Sequence, residues 1–174
     1  MIKPLITMGH PSLRKKAKMI EAAEFGGEAL KQLIQDLRDT MNDSQGIGIA
    51  APQINVLKQV CIVSLPESSP RYDVSNQPLS GEYIIINPVI KILDKTLSEG
   101  MWEGCLSVPG IRGFVKRPKR IQVTFCDEHG NSQKLVLKDM LAIAFQHEID
   151  HLQGKLFVDR VADTRLLSFE SNLQ

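Results

Sequence analysis

His147 and His151 stand four positions apart and enclose a glutamate in the string His147-Glu148-Ile149-Asp150-His151. On an α-helix that spacing puts both imidazoles on one face, one turn apart, so a single metal ion can be held by both from one rigid element. Glu148, one position round, can reach a metal-bound water without being a ligand, which is where a general base belongs. A catalytic site needs a third protein ligand and an open position for water. A histidine three residues past Gly154 would complete one protease pattern, but that position is Phe157, so this reading fails at its defining ligand. Glu170 lies far enough downstream to be weighed as a glutamate ligand. Cys105 is the stronger candidate: it lies in Glu103-Gly104-Cys105-Leu106-Ser107, just ahead of the turn-forming Val108-Pro109-Gly110, where the small Gly104 permits close approach. A thiolate, two imidazoles and one water make a three-ligand catalytic site for Zn²⁺ or Fe²⁺. Binding would deprotonate the thiol and bring the pKa of the water down towards about 7.

These residues need elements to hold them. Residues 139–152 are apolar nearly all round through Phe145, with Gly154 placed to end the run, which predicts an interior helix carrying both histidines. Residues 29–42 place Leu30, Leu33, Ile34, Leu37 and Met41 on one stripe among charged neighbours, an amphipathic surface helix. The small-residue loop Ser44-Gln45-Gly46-Ile47-Gly48-Ile49-Ala50-Ala51-Pro52-Gln53 follows, and then the β-branched run Val60-Cys61-Ile62-Val63 reads as a buried strand. Residues 66–81, with Pro66, Pro70 and Pro78, read as an irregular surface connection. Residues 83–93 read as a strand broken near Asn87-Pro88. Alternation at Ile121, Val123 and Phe125, a turn at Glu128-His129-Gly130-Asn131 and the answering run Lys134-Leu135-Val136-Leu137 predict an antiparallel hairpin. The fold class expected is α+β, with antiparallel β-sheets packed around a buried metal-binding helix plus an N-terminal amphipathic helix, all in one domain over residues 1–174.

Composition narrows the partners. Lys+Arg of 21 against Asp+Glu of 20 gives a net charge of +1, so no field of one sign advertises nucleic acid or an anionic membrane. No signal-peptide-like run opens the sequence and nothing approaches a membrane span, which leads to the expectation of a cytoplasmic protein. Three cysteines without regular spacing make no disulfide framework; Cys61 and Cys126, inside apolar runs, read as small core residues. His10 and His129 lie in turn-like contexts and read as surface residues.

Three separated segments, Gly46-Ile47-Gly48-Ile49-Ala50-Ala51-Pro52-Gln53, Glu103-Gly104-Cys105-Leu106-Ser107 and Gln146-His147-Glu148-Ile149-Asp150-His151-Leu152-Gln153-Gly154, resemble the three signature motifs of the bacterial peptide deformylases, in the family's order and spacing. Gln153 stands where the family more often has Asn or Val, and Met101-Trp102 replaces a commonly acidic stretch; neither removes a ligand. The resemblance implies a hydrolase of protein biosynthesis that removes the formyl group from the N-terminal formyl-methionine of new polypeptides. It implies a metal site of Cys105, His147 and His151, with Fe²⁺ as the physiological ion and Zn²⁺ or Ni²⁺ able to occupy it. A metal-bound hydroxide would attack the formyl carbon, Glu148 would act as general base and then general acid, and the Gln53 side-chain amide and Leu106 N–H would donate to the formyl oxygen. It further implies backbone pairing of Ile47 and Gly48 with the substrate, room for it at Gly104, an apolar pocket lined by Ile47 and Ile143, and Arg112 near the substrate. Arg117 is expected to pair with Asp150 in support of the ligand helix.

N-formylmethionyl nascent peptides make the ribosome surface a candidate partner, although residues 159–174 set Asp159, Asp163 and Glu170 against Arg160 and Arg165, not a basic docking tail. A monomer is expected. The competing readings are a zinc peptidase with a downstream glutamate ligand and a non-catalytic structural metal protein, which would need a fourth protein ligand.

Overall fold

The structure is a computed structural model that describes residues 1–65 and 81–173. The expected irregular connection lies outside the described residues, apart from Gly81, which already belongs to a strand. In chain order the main elements are α1 (Glu28–Asp43), β1 (Gly48–Ala50), β2 (Val60–Leu65), β3 (Gly81–Leu97), β4 (Met101–Cys105), β5 (Val108–Val115), β6 (Pro118–Cys126), β7 (Ser132–Lys138), α2 (Asp139–Leu152) and β8 (Leu167–Phe169), with short 3₁₀ turns between several of them. The strands form two antiparallel sheets, β1-β2-β3-β6-β7 and β4-β5-β8.

The continuous apolar run of β2 has a direct cause. Successive side chains point to opposite faces, and both faces are covered. Cys61, Val63 and Leu65 join the core of α2 with Phe145, Ile149 and Leu152; Val60 and Ile62 join Leu30, Ile34, Leu37 and Met41 of α1. The larger sheet therefore lies between the two helices. The α+β arrangement expected from the sequence is present, with α1 as a covering layer and Leu33 only half-buried on its edge.

The break expected near Asn87-Pro88 is instead a bulge inside one long strand. The β3–β6 register shifts between Ile86 and Val89, and Asn87 takes a φ of 52°. Asparagine tolerates that left-handed conformation, and Pro88 has no N–H to leave unpaired in the ladder. The Asn87 side chain then binds Ile20 twice, donating to its carbonyl at 2.8 Å and accepting its N–H at 2.9 Å. Cys61 is fully buried as expected; Cys126 packs against the α1-side core but is only half-buried, because it pairs with Ser132 next to the turn of the β6–β7 hairpin. In the hairpin turn the Asp127 carboxylate accepts the N–H groups of His129 and Asn131, both at 2.9 Å.

Gly154 ends α2 in the conformation expected of it. Its φ is +72°, its N–H reaches the His151 carbonyl at 3.1 Å and that of Lys155 reaches Asp150 at 2.9 Å, so the last carbonyls of the ligand helix are satisfied. A Cβ here would also meet the Arg14 backbone at 2.7 Å. Gly154→Ala is therefore expected to destabilise the protein by about 1–3 kcal/mol, read as a lower urea midpoint; an unchanged midpoint would count against this account.

Candidate metal centre

Two elements meet at one point. The last turns of α2 present His147 and His151, and the end of β4 presents Cys105, where the chain turns back into β5 through Leu106 and Ser107. One ligand atom from each of the three residues lies within 4.8 Å of the others, the one such group among the described residues. Cys105 Sγ is 3.2 Å from His151 Nε2, and the Ser107 backbone N–H and Gln53 amide point at the sulfur from 3.4 and 3.5 Å. Glu148 Oε2 and His151 Nδ1 are buried without a hydrogen-bond partner among the described residues. Convergent soft and borderline donors, with a buried carboxylate oxygen left over beside them, fit a divalent cation.

The imidazole of His147 is oriented by a buried ionic chain. Its Nδ1 is 2.8 Å from Glu103 Oε2. Burial works against the Glu103 carboxylate, but hydrogen bonds from His147 and Arg117 outweigh it and hold its pKa below the ordinary value. A carboxylate can only accept, so Nδ1 carries the hydrogen and Nε2 is the nitrogen left to face the ligand cluster, where a bound cation would take its lone pair. Arg117 donates to both Glu103 oxygens at 2.7 and 3.0 Å and to Asp150 Oδ2 at 2.7 Å. Arg160 completes the chain on Asp150 at 3.0 and 2.6 Å. The expected Arg117–Asp150 pair is present, but Glu103, Arg160 and the stacking of Phe157 on the His147 ring, 17° from parallel, were not foreseen. A signal for Glu103 existed: two residues before Cys105 on one strand, it must share a face with it. Burial holds His151 neutral, well below its ordinary pKa, in the form that ligates.

Glu148 lies against the Gly48 backbone so closely that a Cβ on Gly48 would be 2.3 Å from its Oε1. Burial pushes its carboxyl up to about 7, with His147 and Arg117 opposing, close to the pH at which a group that takes and returns a proton works best. Gln53 is equally constrained. Its side-chain oxygen accepts the Ala50 N–H at 2.8 Å, which turns its NH₂ towards Cys105 and Ser107.

A cleft of about 890 Å³ opens over these groups. Ile47, Gly48, Gln53, Gly104, Leu106, Arg112 and Ile143 all line it together with Cys105, His147 and Glu148; His151 lies beneath, 1% exposed. Glu170 is at the mouth, paired with Arg112 and outside the ligand cluster. His129 is exposed, whereas His10 is half-buried, its Nδ1 capping the Ser12 N–H.

A Cys/His/His cluster with a buried carboxylate at the floor of a partly apolar cleft defines a metal-dependent hydrolase. Residues 2–166 match the family model described as polypeptide deformylase. The chain is 38% identical to a peptide deformylase of Leptospira biflexa over 99% of its own length and 94% of the relative's. It is 44% identical to peptide deformylase 2 of a Nostoc species, covering 91% and 85%. A crystal structure of class I type b peptide deformylase from Acinetobacter baumannii with Met-Ala-Ser bound superposes with a TM-score of 0.84 at 34% identity, covering 92% of this chain and 99% of that one. The chain belongs to the polypeptide deformylase family. It is a hydrolase that removes the N-formyl group from nascent peptides, in a family that uses a divalent metal. Among the described residues no helix is long and apolar enough to cross a membrane.

Proposed function

We propose that Cys105, His147 and His151 hold the divalent ion, Fe²⁺, and that the formyl end of an N-formylmethionyl peptide is hydrolysed above them. When bound, the ion supplies Lewis acidity, making water more acidic and polarising the formyl oxygen. Glu148 takes a proton from the attacking water and later delivers it to the departing amine nitrogen, so that the C–N bond breaks to give formate and a free amine. The Gln53 NH₂ and the Leu106 N–H donate to the formyl oxygen as charge gathers on it; losing one such donor typically costs about 10²–10³ in rate. The Ile47 and Gly48 backbone pairs with the peptide main chain, Gly104 borders the peptide and seats the Arg112 guanidinium beside it, and Ile47 and Ile143 receive the methionine side chain. The observation that carries this reading is the unpartnered Glu148 oxygen, buried beside the ligand cluster in a cleft that also holds the turned Gln53 amide.

On this reading the chain is one catalytic domain over residues 1–174, a cytoplasmic monomer that meets its substrates near the ribosome. Protein prepared without oxygen and loaded with Fe²⁺ should release formate from formyl-Met-Ala-Ser and leave an unformylated control uncleaved. Removing the ion with a chelator should abolish release, and re-adding Fe²⁺ should restore it beyond what Zn²⁺ restores. A faster Zn²⁺ form would overturn the assignment of iron, and cleavage of the control would favour the peptidase.

A further inference from the structure

Among the described residues of the cleft, the half-buried Arg112 and the exposed Glu170 are the charged side chains at its mouth. Among the other ionisable groups that line it, Glu103 is committed to Arg117 and His147, Glu148 is buried, and His147 belongs to the ligand cluster. The Arg112 guanidinium lies directly over Gly104, where a Cβ would come within 2.0 Å of its Nη1, so the cation is seated one residue from Cys105. Glu170 is brought to it by the smaller sheet. Pairing of Arg112 with Ser168 in the β5–β8 register carries the chain on into the turn Glu170–Asn172, and Glu170 Oε1 accepts from Arg112 Nε at 3.2 Å and from its Nη2. Leu173 then joins the cleft wall. Side-chain exposures of 35% and 56% make this a wet ion pair, worth little to stability. Its effect is on the charge that an incoming chain meets, because rim charges change specificity more than they change fold.

We propose that Glu170 is a specificity-determining residue: by holding the Arg112 guanidinium it keeps the mouth of the cleft electrically neutral, so that peptides are accepted whether or not acidic side chains follow the formyl-methionine. This rests on the cleft being the peptide site. Without Glu170 the guanidinium is an uncompensated cation beside the peptide, and an acidic side chain within reach binds it in place of the lost carboxylate. Basic side chains are disfavoured to the same degree.

The test uses metal-loaded protein and C-terminally amidated formyl-Met peptides, with Glu against Gln at the second, third or fourth position. In the parent protein kcat/KM for each Glu peptide should match that of its Gln partner. In Glu170→Gln the ratio should rise at one position by roughly three- to tenfold, through KM and not kcat. The gain should vanish in the Glu170→Gln/Arg112→Gln double variant and at about 1 M salt, where the Debye length is about 3 Å. A loss shared equally by all peptides would mark a purely structural role and overturn the proposal, as would ratios that stay at the parent's values. If the parent releases no formate from any of the peptides, the cleft assignment fails and the proposal with it.

Discussion

Glu148→Gln should lower formate release by about 10²–10⁴-fold while metal content and far-ultraviolet circular dichroism stay those of the parent. The separation follows from the site. Glu148 is not one of the three convergent ligands, its Oε2 has no hydrogen-bond partner among the described residues, and glutamine matches its volume against Gly48. What the variant loses is the capacity to take and return a proton. Removing a carboxylate whose burial raises its pKa to about 7 also relieves a desolvation cost, so the variant should unfold no more easily than the parent. Retention of more than a tenth of the parent's rate would require another acid/base, and among the described residues the cleft offers Glu103 alone as a further buried carboxylate, already bound by Arg117 and His147.

The second large effect is expected from the ionic chain behind His147. Arg117 is 2% exposed and its guanidinium is shared by Glu103 and Asp150, so Arg117→Met leaves the buried Glu103 with only the His147 imidazole beside it and Asp150 with only Arg160. Breaking a buried pair from one side typically costs 3–5 kcal/mol, about that much being expected here, because the remaining charge stays desolvated. Glu103→Gln should act differently. It keeps volume but weakens the acceptor that sets the His147 tautomer, and loss of such a partner typically lowers metal affinity about 10–100-fold. Urea unfolding of the metal-free proteins reads the first effect and chelator competition the second. Combining the two changes should cost less than the sum of the singles, since Arg117→Met no longer strands Glu103 once that residue is neutral. An Arg117→Met protein with the parent's urea midpoint would mean that the network adds nothing to stability.

Much of the centre could be read along the chain because it is local. Residues 147, 148 and 151 obtain their relative positions from helical periodicity alone, and Gly154 ends that helix through a φ that its neighbours would resist. The α1 stripe and the β6–β7 hairpin were legible for the same reason, being repeats of 3.6 and 2 residues with a turn between strands. Asn87-Pro88 was misjudged as a break because a bulge and a strand end use the same residue chemistry; the difference lies in whether β6 continues alongside, which is a fact about a partner strand. Cys126 does pack against the core, though only half-buried, because alternation tells which face a residue shares but not how completely that stretch of sheet is covered.

Residue types and spacings by themselves determined a helix with two imidazoles and a carboxylate and a cysteine able to join them, while the donors for a small carbonyl followed only from the family resemblance. Only the tertiary structure decided that Glu103 would set the His147 tautomer, that Phe157 would stack on that ring, that Gln53 would turn its NH₂ towards Cys105, and that Glu170 would meet Arg112 58 residues away. The physical reason is one of range. Backbone periodicity places side chains within a turn or a strand, whereas contacts between elements depend on register and packing, which the whole chain settles together.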